Sequence, residues 1–263
     1  SVDFKLKKIP NNFLDLFFTL PNEEQAINFY YYINNHFGGD LSKITALEYF
    51  GYNCKKYMKH WNKLFKLENE VGIYLQFPIY NDTFDHVAGE WLSLISKSKC
   101  GIDENSILIL NEPRHWETFF QARHSIPANA LEKTRKLDTW SILTDTIVPP
   151  ENFKKFIHNT HLIIKNSEIE YLLFGHLGDC HLHFHLIPTK TQQQEALKIY
   201  DKIIDKCTEL GGVYSGEHGT GKRKSVDFIK CYGINAVNEI KVAKSVLDPD
   251  FLLNRGNVIE YTS

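Results

Sequence analysis

The sequence lacks the features that would place it in several large protein classes. Its five cysteines (Cys54, Cys100, Cys180, Cys207 and Cys231) form no CxxC pair, and their odd number argues against a secreted disulfide framework, so a reducing, cytoplasmic setting is the expectation. Long apolar runs are missing. Stretches such as residues 107–110 fall far short of the roughly 20 residues needed to cross a bilayer, and no apolar h-region opens the chain. There is no surplus of positive charge either: a formal net charge of −2 offers no electrostatic footprint for nucleic acid, and no nucleic-acid partner is expected. Internal repeats, low-complexity tracts and Pro/Gly/Ser linkers are absent, which leaves no domain boundary legible in the 263 residues. Methionine occurs once, whereas histidine occurs twelve times, and four of those histidines fall within ten residues. That cluster is the first feature composition does not explain.

Hydrophobic periodicity predicts strands at residues 4–9, 13–20, 45–50, 72–78, 106–110, 141–148, 169–175, 181–187 and 213–215. Helices are predicted at residues 23–36, 83–96, 112–123, 151–165, 191–210 and 236–246. The helix from Thr191 is given a capping box with Gln194, an apolar stripe of Ala196, Ile199, Ile203, Cys207 and Leu210, and a stop at Gly211-Gly212. Strands 169–175 and 181–187 are too close for a crossover and must run antiparallel. The expected class is α+β, a largely antiparallel or mixed sheet with helices on one face.

The segment Phe174-Gly-His-Leu-Gly-Asp-Cys-His-Leu-His-Phe-His185 reads as a hairpin turning at Gly178-Asp179. An even loop there sets His176 opposite His181. Period-two alternation then puts His176, His181, His183 and His185 on one face and Leu182, Phe184 and Leu186 on the other, so the expectation is one core face and one imidazole face. Opposed side chains have Cβ atoms about 5 Å apart, close enough for imidazoles from adjacent strands to share a divalent ion. The competing reading is a solvated strand face that happens to be histidine-rich.

Downstream, Leu210-Gly-Gly-Val-Tyr-Ser-Gly-Glu-His-Gly-Thr-Gly-Lys222 carries Glu217 and His218 at the tip of a glycine-rich turn. A carboxylate beside an imidazole suits metal binding by Glu217 and proton abstraction by His218. The same stretch fits GxxxxGK, but Arg223 stands where a phosphate-binding loop needs Ser or Thr, and Glu217 would repel phosphate.

Together these two segments resemble the C-terminal substrate (cap) domain of FAD-linked oxidases of the vanillyl-alcohol-oxidase type, the group that includes D-lactate, glycolate and D-2-hydroxyglutarate dehydrogenases. The family's hairpin reads roughly GHxGDGNLHxN and its later loop GEHGxG. Further likeness lies in Ala46-Leu-Glu-Tyr-Phe50, Ala122-Arg-His-Ser-Ile126, Thr144-Asp-Thr-Ile-Val-Pro149 and the closing Leu247-Asp-Pro-Asp-Phe-Leu-Leu-Asn-Arg-Gly-Asn-Val-Ile259, all in family order.

The resemblance implies a ferredoxin-like cap architecture. It makes His176, His183 and Glu217 ligands of a divalent metal, zinc or manganese, and His218 the catalytic base. Arg123 becomes the holder of the substrate carboxylate, with His185 as a second substrate-side residue. The implied substrate is a small 2-hydroxy acid, the cofactor FAD. By this reading residues 1–263 are one C-terminal substrate and metal domain, and the flavin is held by an N-terminal domain or subunit outside it, without which no oxidation is expected. A homodimer, an unspecified electron acceptor and peripheral association with an inner membrane belong to the same expectation.

This sequence departs from the family pattern at Cys180, His181, His185, Leu143 (where relatives place a lysine) and Arg255. The His185 and Leu143 departures keep open a non-catalytic binding or regulatory protein that retains the fold, and the His/His/Glu set with His218 as base keeps open a stand-alone metal-dependent hydrolase.

Overall fold

Strand β1 (Asn12–Leu20) is buried without interruption from Leu14 to Leu20, so it must be an interior strand covered on both faces. The elements that follow are α1 (Glu23–His36), β2 (Ala46–Phe50), β3 (Val71–Ile79), α2 (Phe84–Lys97), β4 (Leu108–Ile109) and α3 (Pro113–Lys136). The second part of the chain contributes β5 (Ile142–Leu143), α4 (Pro150–Lys165), β6 (Glu170–His176), β7 (His181–Ile187), α5 (Gln193–Glu209) and α6 (Ser225–Leu247). The structure is a computed structural model and describes residues 3, 4, 6 and 8–259. Two compact units are formed, one from residues 1–133 and 172–178, the other from 134–171 and 179–263. Their boundaries fall inside α3, inside β6 and in the turn between β6 and β7, where no change of composition marks them.

In the first unit β1 pairs with β3 from Asn12 opposite Ile79 to Leu20 opposite Val71, and with β4. Strand β2 joins β3 to β6, with Glu48 opposite both Tyr74 and His176. Every one of these pairings is antiparallel, in the order β4-β1-β3-β2-β6. The succession β-α-β-β-α-β with this order is the ferredoxin-like arrangement. The α+β, antiparallel expectation is met.

Local chemistry explains the helices that flank the strands. Asn22 caps α1 by accepting the Gln25 N–H at 3.0 Å, Glu23 and Glu24 stand at its positive end, and Ala26, Ile27, Phe29, Tyr30 and Ile33 form its buried stripe. The core gathers on Phe17, whose ring lies 5.5 Å from Phe65, 5.6 Å from Phe119 and 6.3 Å from Phe50. Gly72 is required beneath it, because a Cβ there would sit 2.7 Å from Phe17 Cζ. Each such buried ring contributes about 1.5–3 kcal/mol.

In the second unit β5 pairs antiparallel with β7, Ile142 opposite Leu186 and Leu143 opposite His185. Beyond β5 the chain continues as single bridges from Ile147 to His181 and Val213. Along the chain, the order β5, α4, β6, β7, α5 and the bridging Val213 repeats the β-α-β-β-α-β succession, although residues 172–176 of β6 belong to the first unit. Phe184 centres the packing here, with Phe156, Tyr171 and His161 at 6.5, 6.1 and 5.4 Å.

Several expectations need correction. All seven residues of β7 are buried, so the imidazole face is as covered as the apolar face. The expected strand 4–9 falls partly on residues 5 and 7, outside the described residues; Phe4, Leu6, Lys8 and Ile9 are exposed and in no strand. The expected strand 141–148 is reduced to Ile142–Leu143, since the buried polar Thr144, Asp145 and Thr146 interrupt it. Strand 213–215 is present only as bridges.

Among the helices, α3 runs on through Pro127 to Lys136, past the expected stop at Arg123. The capping box before α5 uses Thr189 and Gln192 in place of Thr191 and Gln194. Helix α6 starts at Ser225, well before residue 236, and is broken at Gly233 (φ 78°, ψ 172°). No helix among the described residues is long and apolar enough to cross a membrane.

Candidate functional site

Strand β7 and the loop after Tyr214 bring the second unit's polar groups together. His183 is buried, and its Nδ1 lies 3.1 Å from the Thr144 carbonyl oxygen. A carbonyl only accepts, so Nδ1 carries a proton and Nε2 is the nitrogen left to face the loop. That Nε2 lies 3.3 Å from Glu217 Oε1, and the same oxygen lies 3.2 Å from His218 Nε2. The His183 and His218 rings are nearly parallel, 13° apart with centroids at 5.2 Å. Glu217 and His218 are about 45% and 41% exposed whereas the His183 side chain is about 5% exposed, so solvent reaches the cluster from the loop side.

His181 is held through its other ring nitrogen. Its Nε2 donates to Asp145 Oδ1 at 3.0 Å, so this nitrogen is committed to an anion within the protein. Asp145 is fully buried and gathers five donors: His181 Nε2, Ser215 Oγ at 2.6 Å, Lys224 Nζ at 3.1 Å, and the backbone N–H groups of Glu217 at 3.2 Å and His218 at 2.9 Å. Burial alone would raise its pKa, but the bonds from His181, Ser215, His218 N–H and Lys224 outweigh it and hold the carboxyl well below the usual carboxylate range. With its lone pairs taken, Asp145 is an anchor for the loop rather than a ligand. Gly216 passes so close to His181 that a Cβ would lie 2.7 Å from His181 Cε1. His185 is also buried, and burial followed by the proximity of His183 depresses its pKa to about 4, so it is neutral at pH 7.

In the first unit a second polar group crosses the strands. Glu48, buried on β2, accepts from His176 Nδ1 at 2.7 Å through Oε1 and from Arg123 Nη2 at 3.1 Å through Oε2. Burial raises the Glu48 pKa, but the His176 and Arg123 interactions together take it below the ordinary value. The ionised carboxylate only accepts, so His176, like His183, carries its proton on Nδ1. Farther along β1 and β3, Asp15 accepts from Tyr74 Oη at 2.6 Å and Gln76 Nε2 at 2.8 Å.

Of the residues singled out in the sequence, His183, Glu217 and His218 therefore meet in the second unit, and His176 and Arg123 meet on Glu48 in the first. Asp145 and Glu48 lie outside the histidine hairpin and the glycine-rich turn, yet both organise these groups. The available signal was a single carboxylate inside an otherwise apolar or Thr-flanked strand segment, Ala46-Leu-Glu-Tyr-Phe50 and Thr144-Asp-Thr146, where burial demands a partner.

The donor set suits a divalent metal. An imidazole nitrogen and a carboxylate oxygen 3.3 Å apart need a proton or a cation between them, and imidazole with carboxylate is the nitrogen and oxygen set that zinc and manganese take.

Comparison with known proteins bears on the family and the fold. The D-lactate dehydrogenase of Anaerostipes hadrus is 30% identical over 118 residues, which is 43% of this chain and 25% of that protein. The glycolate oxidase subunit GlcD of Bacillus subtilis is 29% identical over 133 residues, 49% of this chain and 28% of that protein. The chain thus spans about a quarter of the length of these relatives. Among solved structures, 4-ethylphenol oxidase from Gulosibacter chungangensis superposes with a TM-score of 0.62 at 13% identity, over 97% of this chain and 55% of that one, a likeness of fold. Residues 16–258 match the family of FAD linked oxidases, C-terminal domain, and the chain belongs to that family.

Proposed function

We propose that this chain is the substrate- and metal-binding part of a flavin-dependent 2-hydroxyacid dehydrogenase of the D-lactate or glycolate kind. The observation that carries the reading is the convergence of His183 Nε2 and His218 Nε2 on Glu217 Oε1, with His183 turned by the Thr144 carbonyl so that its Nε2 faces the carboxylate. His183 and Glu217 would hold the divalent ion, and the resemblance of the hairpin motif to the family would add His176, whose proton Glu48 keeps on Nδ1, as a ligand. When bound, the ion lowers the pKa of a hydroxyl it touches and the flavin accepts a hydride.

The chain's own residues do the rest. Arg123 offers a planar, permanently charged fork to the acid's carboxylate, with one arm steadied by Glu48. His218 takes the hydroxyl proton at Nε2, the nitrogen that faces Glu217. His185, kept neutral by burial, adds a polar but uncharged wall on the substrate side. Asp145 holds the loop that carries the base and the carboxylate ligand.

The reading is tested by adding purified flavin domain from a related dehydrogenase to this chain and following dye reduction with D-lactate or glycolate. Reduction that requires the chain and is lost in His218→Ala is the expected result. No reduction with either acid, together with ester or amide cleavage by the chain alone in the presence of zinc, would replace the reading with a hydrolase.

A further inference from the structure

We propose that Glu48 is a positioning residue that couples a metal ligand to the carboxylate-binding arginine. Within the first unit it bonds both. Its Oε1 lies 2.7 Å from His176 Nδ1 and its Oε2 lies 3.1 Å from Arg123 Nη2, so each carboxylate oxygen serves one partner. Register makes the arrangement rigid. Glu48 stands directly opposite His176 across β2 and β6 and opposite Tyr74 across β2 and β3, so the backbone ladder on both sides sets the position of its Cβ. Its burial at 8% exposure excludes most of the water that would otherwise compete for either bond.

The consequences differ for the two partners. For His176, a carboxylate on Nδ1 fixes the tautomer and ring orientation and raises the basicity of Nε2, the arrangement in which an outer carboxylate tunes a metal-bound imidazole. For Arg123, holding one Nη2–H leaves a fork of fixed direction rather than a mobile charge on a flexible stem. Glu48 touches neither the metal nor the acid; it acts through the residues that do. One buried carboxylate would therefore set metal affinity and acid affinity together. The inference rests on the metal and carboxylate assignments of the preceding section.

Glu48→Gln separates this role from a merely structural one. Glutamine keeps the shape but has a single acceptor oxygen and a donor amide, so it can serve His176 or Arg123 and not both. Asp15→Asn is the control: it alters a buried acceptor of the same sheet that bonds Tyr74 and Gln76 and touches neither His176 nor Arg123.

The full chain, the two variants and Glu48→Asp are titrated with zinc against a chromophoric chelator, and the imidazole nitrogens are followed by NMR. Zinc affinity is expected to fall about 10- to 100-fold in Glu48→Gln, to stay at the wild-type value in Asp15→Asn, and to recover in part in Glu48→Asp. The His176 signal should move from the Nδ1–H form toward a mixture of tautomers in Glu48→Gln alone. Wild-type zinc affinity in Glu48→Gln, or an equal loss in Asp15→Asn, overturns the inference while leaving the metal reading intact. Absence of zinc binding by the wild-type chain overturns the metal reading and the inference with it.

Discussion

The Asp145 carboxylate accepts the backbone N–H of His218 at 2.9 Å, and that of Glu217 at 3.2 Å, so the two residues proposed to carry the chemistry hang from one buried anion. The loop needs such a tie. Its side chains are half exposed, and nothing in a glycine-rich stretch restricts the backbone by itself.

Asp145→Asn should therefore loosen the loop more than it disturbs the fold around it. The amide keeps one acceptor and presents a donor to Lys224 or to a backbone N–H, and the expected loss is roughly 2–4 kcal/mol of stability. Because the folded pKa is depressed, the contribution of Asp145 is fully present above the unfolded value of about 3.9 and is lost as pH falls below it. Urea unfolding between pH 2 and 7 should show a steeper acid loss for wild type than for Asp145→Asn, with faster amide exchange at Glu217 and His218 in the variant. Parallel acid profiles would contradict this.

Gly216→Ala tests the close approach of loop and strand. The added Cβ would meet His181 Cε1 and Ile147 Cδ1, both at 2.7 Å and both within packed surroundings, and overpacking of this kind costs about 1–3 kcal/mol. His181 is expected to lose its bond to Asp145, visible as a shifted Nε2–H signal. A variant as stable as wild type with an unchanged His181 signal would show that the loop yields freely.

Lys55 provides a pH test remote from the site. Its buried ammonium donates to the carbonyls of Leu67 and Glu68 and lies over the Phe65 ring, yet burial lowers its pKa to about 8 despite Glu70 and Glu68 nearby. A base whose folded pKa is depressed stabilises the fold above its unfolded pKa of about 10.4, and that stability is lost as pH falls toward 8. The stability difference between wild type and Lys55→Met should shift in favour of wild type as pH is raised from 8 to 10.5. A difference independent of pH in that window would mean the lysine is not shielded from water.

Much of the fold was legible where a single local signal sufficed. Helix α1 follows from its Asn cap, acidic first turn and apolar stripe, and β7 from strict alternation between two turn signals. Local signals failed where they were duplicated or overridden. Two overlapping T-x-x-Q frames precede α5, Thr189 with Gln192 and Thr191 with Gln194, and only the end of β7 at Ile187 selects the first. Pro127 reads as a stop, but Ser125, on the turn before it, donates to the Ala122 carbonyl and accepts from Lys59 N–H, and the helix continues. The histidines of the hairpin were visible from spacing. Their differing roles were not, because tautomers are set by Thr144, Asp145 and Glu48, which lie 39, 36 and 128 residues away along the chain from their partners.

The most direct test of the account is zinc binding by the intact chain, measured calorimetrically beside His183→Ala and Glu217→Ala, with proton release recorded in buffers of different ionisation enthalpy. One equivalent of zinc should bind to wild type, and each substitution should weaken it by about 100-fold or more, beyond the effect of removing an outer partner. Binding that survives both substitutions unchanged, or no binding by wild type, would contradict it.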